Sequence, residues 1–296
     1  MGGADVIPGV SGGTIAFITG IYDELLHSLK SIDLDALKLL IRFEIAACWK
    51  KVNGSFLIAV LGGIATSILS LAKLVTYLLE RHPIHVWSFF FGLILVSSVI
   101  ILRSIKKWSL GNILAFVLGT VSAYALTILT PTSSPDGYWF IFLSGAIAIC
   151  AMILPGISGA FILLLIGKYE FIIRSLLEVN IPVIAVFVIG CLVGLLSFAR
   201  LLSWILTHYH NLTIALLAGF MLGSLNKVWP WKEVISYRLN TEGMQVPAFD
   251  SSILPVDYMA KTGKDPQVFQ AILLAALGIF IVILIEKIAE RLKTRI

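Results

Sequence analysis

Charge is scarce in this sequence: Asp, Glu, Lys and Arg supply 13% of its 296 residues, against roughly 25% in soluble domains. Hydrophobic residues supply 58%, and the mean hydropathy is +0.98. This balance excludes a water-soluble globular domain. The two-residue alternation of a transmembrane β-barrel is also missing, whereas several apolar runs reach the roughly 20 residues with which a helix crosses about 30 Å of hydrocarbon. The expected fold class is an all-α polytopic membrane protein.

Other absences narrow the function. The cysteines Cys48, Cys150 and Cys191 form no CxxC pair and have no close histidine partner in sequence, so neither a metal site nor a disulfide framework is expected, and no cofactor is implied. A formal net charge of +5 could attract nucleic acid, but the basic residues stand at the ends of apolar segments, where membrane topology places them. No nucleic-acid partner is expected. No basic n-region of a signal peptide precedes the first motif.

What is present is a duplicated break. Pro8-Gly9-Val10-Ser11-Gly12 recurs as Pro155-Gly156-Ile157-Ser158-Gly159, each in an apolar setting. Proline lacks an amide N–H and disfavours helix in the residue before it, and glycine opens conformations closed to other residues, so helices should break at both places. Helix resumes at Thr14 to Leu29 and at Ala160 to Ile166. Irregular backbone at membrane depth is tolerated where it is buried or lines a water-filled cavity, and a helix N-terminus there favours an anion. A kink with close helix packing is the alternative reading of either motif alone.

Aligned without gaps, Pro8 to Leu29 and Pro155 to Leu176 agree at nine of 22 positions, where ordinary composition would give roughly one or two. The likeness resumes at an offset of 127, pairing Gly63 with Gly190, Ser70 with Ser197, Ala72 with Ala199, Leu79 with Leu206, Gly92 with Gly219 and Ser97 with Ser224. At this offset Lys73 falls on Arg200. A cation within an apolar stretch is costly and marks a functional site by default, although Lys73 could also snorkel to the interface seven residues away at Glu80. Their pairing favours binding. Three crossings between the motifs (Gly54–Glu80, Val86–Leu102, Leu110–Leu129) give the halves opposite orientation, so the expected architecture is an inverted-topology repeat with two re-entrant Pro-Gly-x-Ser-Gly helical hairpins.

The expected organisation is a first repeat over 1–109, a linking helix and external loop over 110–137, a second repeat over 138–226, an external loop over 227–267, and a spanning helix with a basic tail over 268–296. Lys30 to Lys51 carries Leu34, Leu37, Leu40 and Ile41 on one face and reads as a cytoplasmic interfacial helix. Trp229 to Lys264 suits an external loop with a short interfacial helix. The Glu286/Glu290 pair, interleaved with Lys287 and Arg291, reads as a solvated helix end rather than a carboxylate dyad. The second motif follows an apolar helix of about sixteen residues and the first follows only Met1 to Ile7, so the first hairpin is expected to lack its leading half in this chain.

The run Ala4-Asp5-Val6-Ile7-Pro8-Gly9-Val10-Ser11-Gly12-Gly13-Thr14, the later Leu154-Pro155-Gly156-Ile157-Ser158-Gly159, and Gly223-Ser224-Leu225 with Trp229-Pro230-Trp231 resemble the bacterial and archaeal polyprenyl-phosphate transporter family over nearly the whole chain. The resemblance implies a flippase, not an enzyme, that returns undecaprenyl phosphate from the outer to the inner leaflet of the plasma membrane, multi-pass, with its C-terminus in the cytoplasm. The expected phosphate site joins Ser11, Gly12, Gly13 and Thr14 to Ser158 and Gly159, with Lys73 and Arg200 as cations and the prenyl tail left in lipid. Asp5, Asp23 and Glu170 could couple transport to H+ or Na+; interfacial salt bridging is the alternative for Asp23 and Glu170, equivalent in the repeat.

Two rival classes remain. Paired cations could serve a transporter or channel for a soluble anion. Undecaprenyl-diphosphate phosphatases are similar in having inverted repeats and a Pro-Gly-x-Ser motif, but there the serine precedes arginine, whereas Gly12 and Gly159 stand in this chain.

Overall fold

Long apolar runs without interior proline become long helices, and Pro83 and Pro182 stand only in the first turns of theirs. The computed structural model describes residues 1–5, 11–132, 134–239 and 245–293. Pro8, Gly9 and Val10 of the first motif lie outside the described residues.

The chain begins with α1 (Gly2–Asp5), α2 (Gly12–Ile18), α3 (Tyr22–Lys30), α4 (Leu34–Ile41) and α5 (Ile45–Lys51). Three long helices follow: α6 (Gly54–Arg81), α7 (Pro83–Arg103) and α8 (Leu110–Ile128). The second motif joins α9 (Tyr138–Ile153) to α10 (Gly159–Leu165), and α11 (Tyr169–Leu177), α12 (Ile181–His208) and α13 (His210–Ser224) come next. A hairpin of β1 (Lys232–Leu239) and β2 (Gln245–Ser252), then α14 (Pro255–Thr262) and α15 (Val268–Lys293), complete the chain. Among the described residues, α6, α7, α8, α12 and α15 are long and apolar enough to cross a membrane. The chain is a multi-pass membrane protein.

Element lengths after each motif correspond. Helices α2 and α10 span seven residues each, α3 and α11 nine, and α6 and α12 28. Gly20 and Gly167 close α2 and α10 in the left-handed region, at φ of +73° and +67°. The N–H groups of the next residues, Ile21 and Lys168, turn back to Ala16 and Leu163 carbonyls. Glycine adopts this helix-ending conformation without the steric penalty of a Cβ.

Three segments differ from the sequence reading. The run Thr14 to Leu29, expected as one helix, is α2 and α3, parted where Gly20 takes its left-handed turn. The interfacial stretch is two helices, because Phe43 takes a left-handed φ of +59° between α4 and α5. Asp33 caps α4 through the Ala36 N–H and pairs with Lys51 at 2.7 Å, while Leu34, Leu37, Leu40, Ile41, Phe43 and Ile45 stay exposed. Residues 227–267 hold a β-hairpin beside the expected short helix α14. Prolines and aromatics alone did not reveal this antiparallel pairing.

Small residues set the closest helix packing, as they do where lipid offers no hydrophobic contrast. Helix α9 lies against α12, α8 against α13 and α7 against α15. A Cβ on Gly190 would stand 2.1 Å from Phe142 O, while one on Gly63, its repeat counterpart, would meet nothing within 4 Å. The main buried cluster joins α2, α3, α7, α12 and α13 through Ala16, Leu26, Ile94, Ala199 and Ala215.

Candidate functional site

The two motif regions meet. Ser11 Oγ donates to Met152 O at 2.7 Å, and Tyr22 OH donates to Ile153 O at 3.1 Å. The Gly156 N–H donates to Thr14 Oγ1 at 2.9 Å. A Cβ on Gly13 would fall 2.4 Å from Ile153 O, so glycine permits the first turn of α2 to approach the end of α9 this closely. Residues more than 130 positions apart thus form one buried polar junction.

In this junction the expected phosphate ligands of the first motif bond to the protein itself. Ser11 Oγ accepts the Gly13 N–H at 3.0 Å, and the Gly12 N–H donates to Asp5 Oδ1 at 2.7 Å. The other Asp5 carboxylate oxygen is buried without a hydrogen-bond partner among the described residues.

The second motif is arranged differently. Ser158 stands at the start of α10 and makes no side-chain cap bond there. It lines a narrow cleft with Thr127, Gly156, Phe161, Ser224 and Lys227, of about 10 Å³, the room of roughly one water. Gly159 packs on Ala148, where a Cβ would stand 2.5 Å from the carbonyl oxygen.

Lys227 is a cation that the sequence reading missed. Its Nζ lies 4.9 Å from the centroid of the Phe161 ring and 3.0 Å from Asp250 Oδ1. Lys232 Nζ bonds the same carboxylate at 3.2 Å, donates to Lys227 O at 2.6 Å and sits 4.8 Å from the Trp87 ring centroid. Burial lowers the Lys232 pKa to about 8. Burial also works to raise that of Asp250, but the two ammonium groups outweigh it and hold the carboxyl below its usual range. A signal was present: Lys227 lies between Gly223-Ser224-Leu225 and Trp229-Pro230-Trp231. It was passed over because a lysine just beyond an apolar helix reads as a topology flank.

The other predicted residues are dispersed. Lys73 is exposed on α6. Arg200, exposed on α12, donates to Ile32 O at 2.9 Å. Each stands nineteen residues beyond the first residue of its helix. Asp23 borders a polar cavity of about 280 Å³ with His27, Ser203 and His210, and Glu170 is half-buried in the first turn of α11.

Similarity to known proteins bears on this geometry. Residues 1–246 match the family described as undecaprenyl phosphate translocase-like. The chain belongs to this family. It is 47% identical over 291 residues to a polyprenyl-phosphate transporter of Vibrio cholerae serotype O1, covering 98% of this chain and 94% of that protein. A polyprenyl-phosphate transporter of Staphylococcus aureus is 32% identical over 249 residues, covering 78% and 83%. No solved structure matches.

This translocase-like chain also buries Lys168 at the start of α11. Its ammonium pairs with Asp136, donates to Ser134 O at 2.9 Å and lies between the Phe140 and Phe171 rings. The contacts tie the loop before α9 to the start of α11. Lys168→Met is expected to destabilise the protein by about 1–3 kcal/mol, read as a lower unfolding midpoint in detergent. The deficit is limited because Asp136, 71% exposed, can be rehydrated. An unchanged midpoint would count against a structural role for Lys168.

Proposed function

We propose that this chain moves a polyprenyl monophosphate, undecaprenyl phosphate in bacteria, from the outer to the inner leaflet of the plasma membrane. The observation that carries this reading is the junction of the two motifs, Ser11 and Thr14 against Met152 and Gly156. Two broken segments meeting at one buried place are what alternating access around a midplane site requires. The matching lengths of the elements that follow each motif support an inverted repeat, and the names of the relatives support the substrate.

In the loaded state the groups around Ser11–Thr14 and Ser158–Gly159 would exchange their internal partners for phosphate oxygens, with Lys73 and Arg200 as flanking cations on α6 and α12. The prenyl chain stays in lipid through a lateral opening. A phosphate taken from water without such partners would cost several kcal/mol or more. Coupling to H+ or Na+ would fall to Asp5, whose second oxygen is buried and unpartnered among the described residues, with Asp23 and Glu170 as further carriers. The basic tail supports a cytoplasmic C-terminus. Transport is favoured over hydrolysis because Ser11 bonds Met152 O and the Gly13 N–H rather than a base, and glycine follows both serines.

Reconstitution into liposomes carrying labelled undecaprenyl phosphate tests the proposal. Wild type is expected to exchange the lipid between leaflets, and Lys73→Ala with Arg200→Ala to slow exchange about tenfold or more. No exchange with wild type would sink lipid transport, and unchanged exchange in the double variant would remove the cation roles of Lys73 and Arg200.

A further inference from the structure

Among the described residues, the cluster behind the second motif holds two positive charges and one negative. Two lysine ammonium groups share the single Asp250 carboxylate, with 17%, 11% and 26% of the Lys227, Lys232 and Asp250 side chains exposed. Asp250 faces Val234 across the hairpin, and Lys232 lies diagonally opposite it. Lys227 reaches the cluster from the turn after α13 and also lines the cleft that contains Ser158. The cations therefore belong both to the hairpin and to the motif.

We propose that Lys227 and Lys232 are the cations that receive the substrate phosphate on the side of the second motif, and that Asp250 occupies their anion position until the phosphate displaces it. This assignment rests on polyprenyl phosphate as the substrate. A carboxylate and a phosphate monoester offer lysine the same anionic oxygen acceptors, and lysine binds either as a point charge. Removing a partner from a buried ammonium is strongly unfavourable, whereas trading one anion for another keeps both lysines paired. Asp250 can return to water because its hairpin lies outside the spanning helices. Ser158, without a cap bond, is placed to donate its hydroxyl to the arriving phosphate beside Lys227.

The neighbouring surface fits an esterified rather than a free phosphate. A second cavity of about 390 Å³ is lined by Phe91, Val121, Tyr124, Leu222, Leu225 and Trp229 among others. It lies beside the cleft, across the Asn226 Nδ2 to Thr127 Oγ1 hydrogen bond of 2.7 Å. A phosphate held at Lys227 would have an apolar channel within reach for its first isoprene units.

Binding of radiolabelled farnesyl monophosphate to purified protein in lipid nanodiscs tests the assignment, with farnesol and inorganic phosphate as competitors. Lys227→Gln is expected to weaken binding about tenfold or more, since one full charge is lost from a buried pair. Asp250→Asn should tighten binding several-fold by removing the internal competitor, and the double variant should lose that gain. Wild-type affinity should fall between pH 7.5 and 9.5, as Lys232 gives up its proton near pH 8; Lys227 and Asp250 are the charged groups that face it among the described residues. Farnesyl monophosphate should outcompete inorganic phosphate, and equal competition would reassign the site to free phosphate and overturn the lipid assignment. Weaker or unchanged binding in folded Asp250→Asn would overturn the displacement mechanism, and if that variant fails to fold, wild-type affinity constant across the pH range would do so. If wild type binds farnesyl monophosphate no better than farnesol, the substrate reading itself fails. Selective wild-type binding that is indifferent to Lys227→Gln defeats only the assignment of these residues.

Discussion

Gly13→Ala is expected to reduce leaflet exchange of undecaprenyl phosphate about tenfold or more. The added methyl would be centred 2.4 Å from Ile153 O, inside any allowed contact, so α2 must withdraw from the end of α9. Withdrawal lengthens the Ser11–Met152 and Thr14–Gly156 bonds that join the motifs. Overpacking of this kind costs about 1–3 kcal/mol, and a penalty of 1.4 kcal/mol on the competent arrangement is already roughly tenfold. Gly62→Ala is the matched control, because a Cβ there meets nothing within 4 Å. Exchange at the wild-type rate in a folded Gly13→Ala protein would show that the closeness of the motifs is irrelevant to transport.

A pair of equivalent positions should give opposite results for stability. Gly190→Ala places a methyl 2.1 Å from Phe142 O, between α12 and α9, and is expected to lower the unfolding midpoint sharply or prevent folding. Gly63→Ala, its counterpart in the repeat, enters open space and replaces glycine in a helix interior, where alanine is favoured by about 1 kcal/mol. Its midpoint should hold or rise. Thermal unfolding of both variants in the same detergent makes the comparison, and equal losses would contradict it. The difference lies in the partner helix: α9 covers Gly190, whereas α1, four residues long, meets α6 near Ile64 and leaves Gly63 uncovered.

Much of the helical framework was legible beforehand because its causes are local or periodic. Apolar length announced α6 and α12, and the Pro-Gly breaks announced the ends around the second motif, whereas the helix stop at Gly20, inside the run Thr14 to Leu29, went unread. The β-hairpin was missed because strand pairing joins residues such as Val234 and Asp250 that no local pattern connects. The split of the interfacial segment at Phe43 was missed because its apolar spacing continues through the turn. The candidate site was legible in its motifs but not in their partners: repetition exposed Ser11 and Ser158, yet Lys227, Lys232 and Asp250 have no counterparts in the repeat to draw attention to them.

The sequence by itself determined that this chain is a helical membrane protein with a duplicated Pro-Gly-x-Ser-Gly break, since hydropathy, helix period and backbone restriction act over short stretches. Only the tertiary structure decided that the motif regions bond to each other and that a half-buried Lys227–Asp250–Lys232 cluster stands behind the second. Hydrogen bonds and ion pairs depend on atoms brought within about 3 Å, and chain packing, rather than spacing along the sequence, sets which atoms those are.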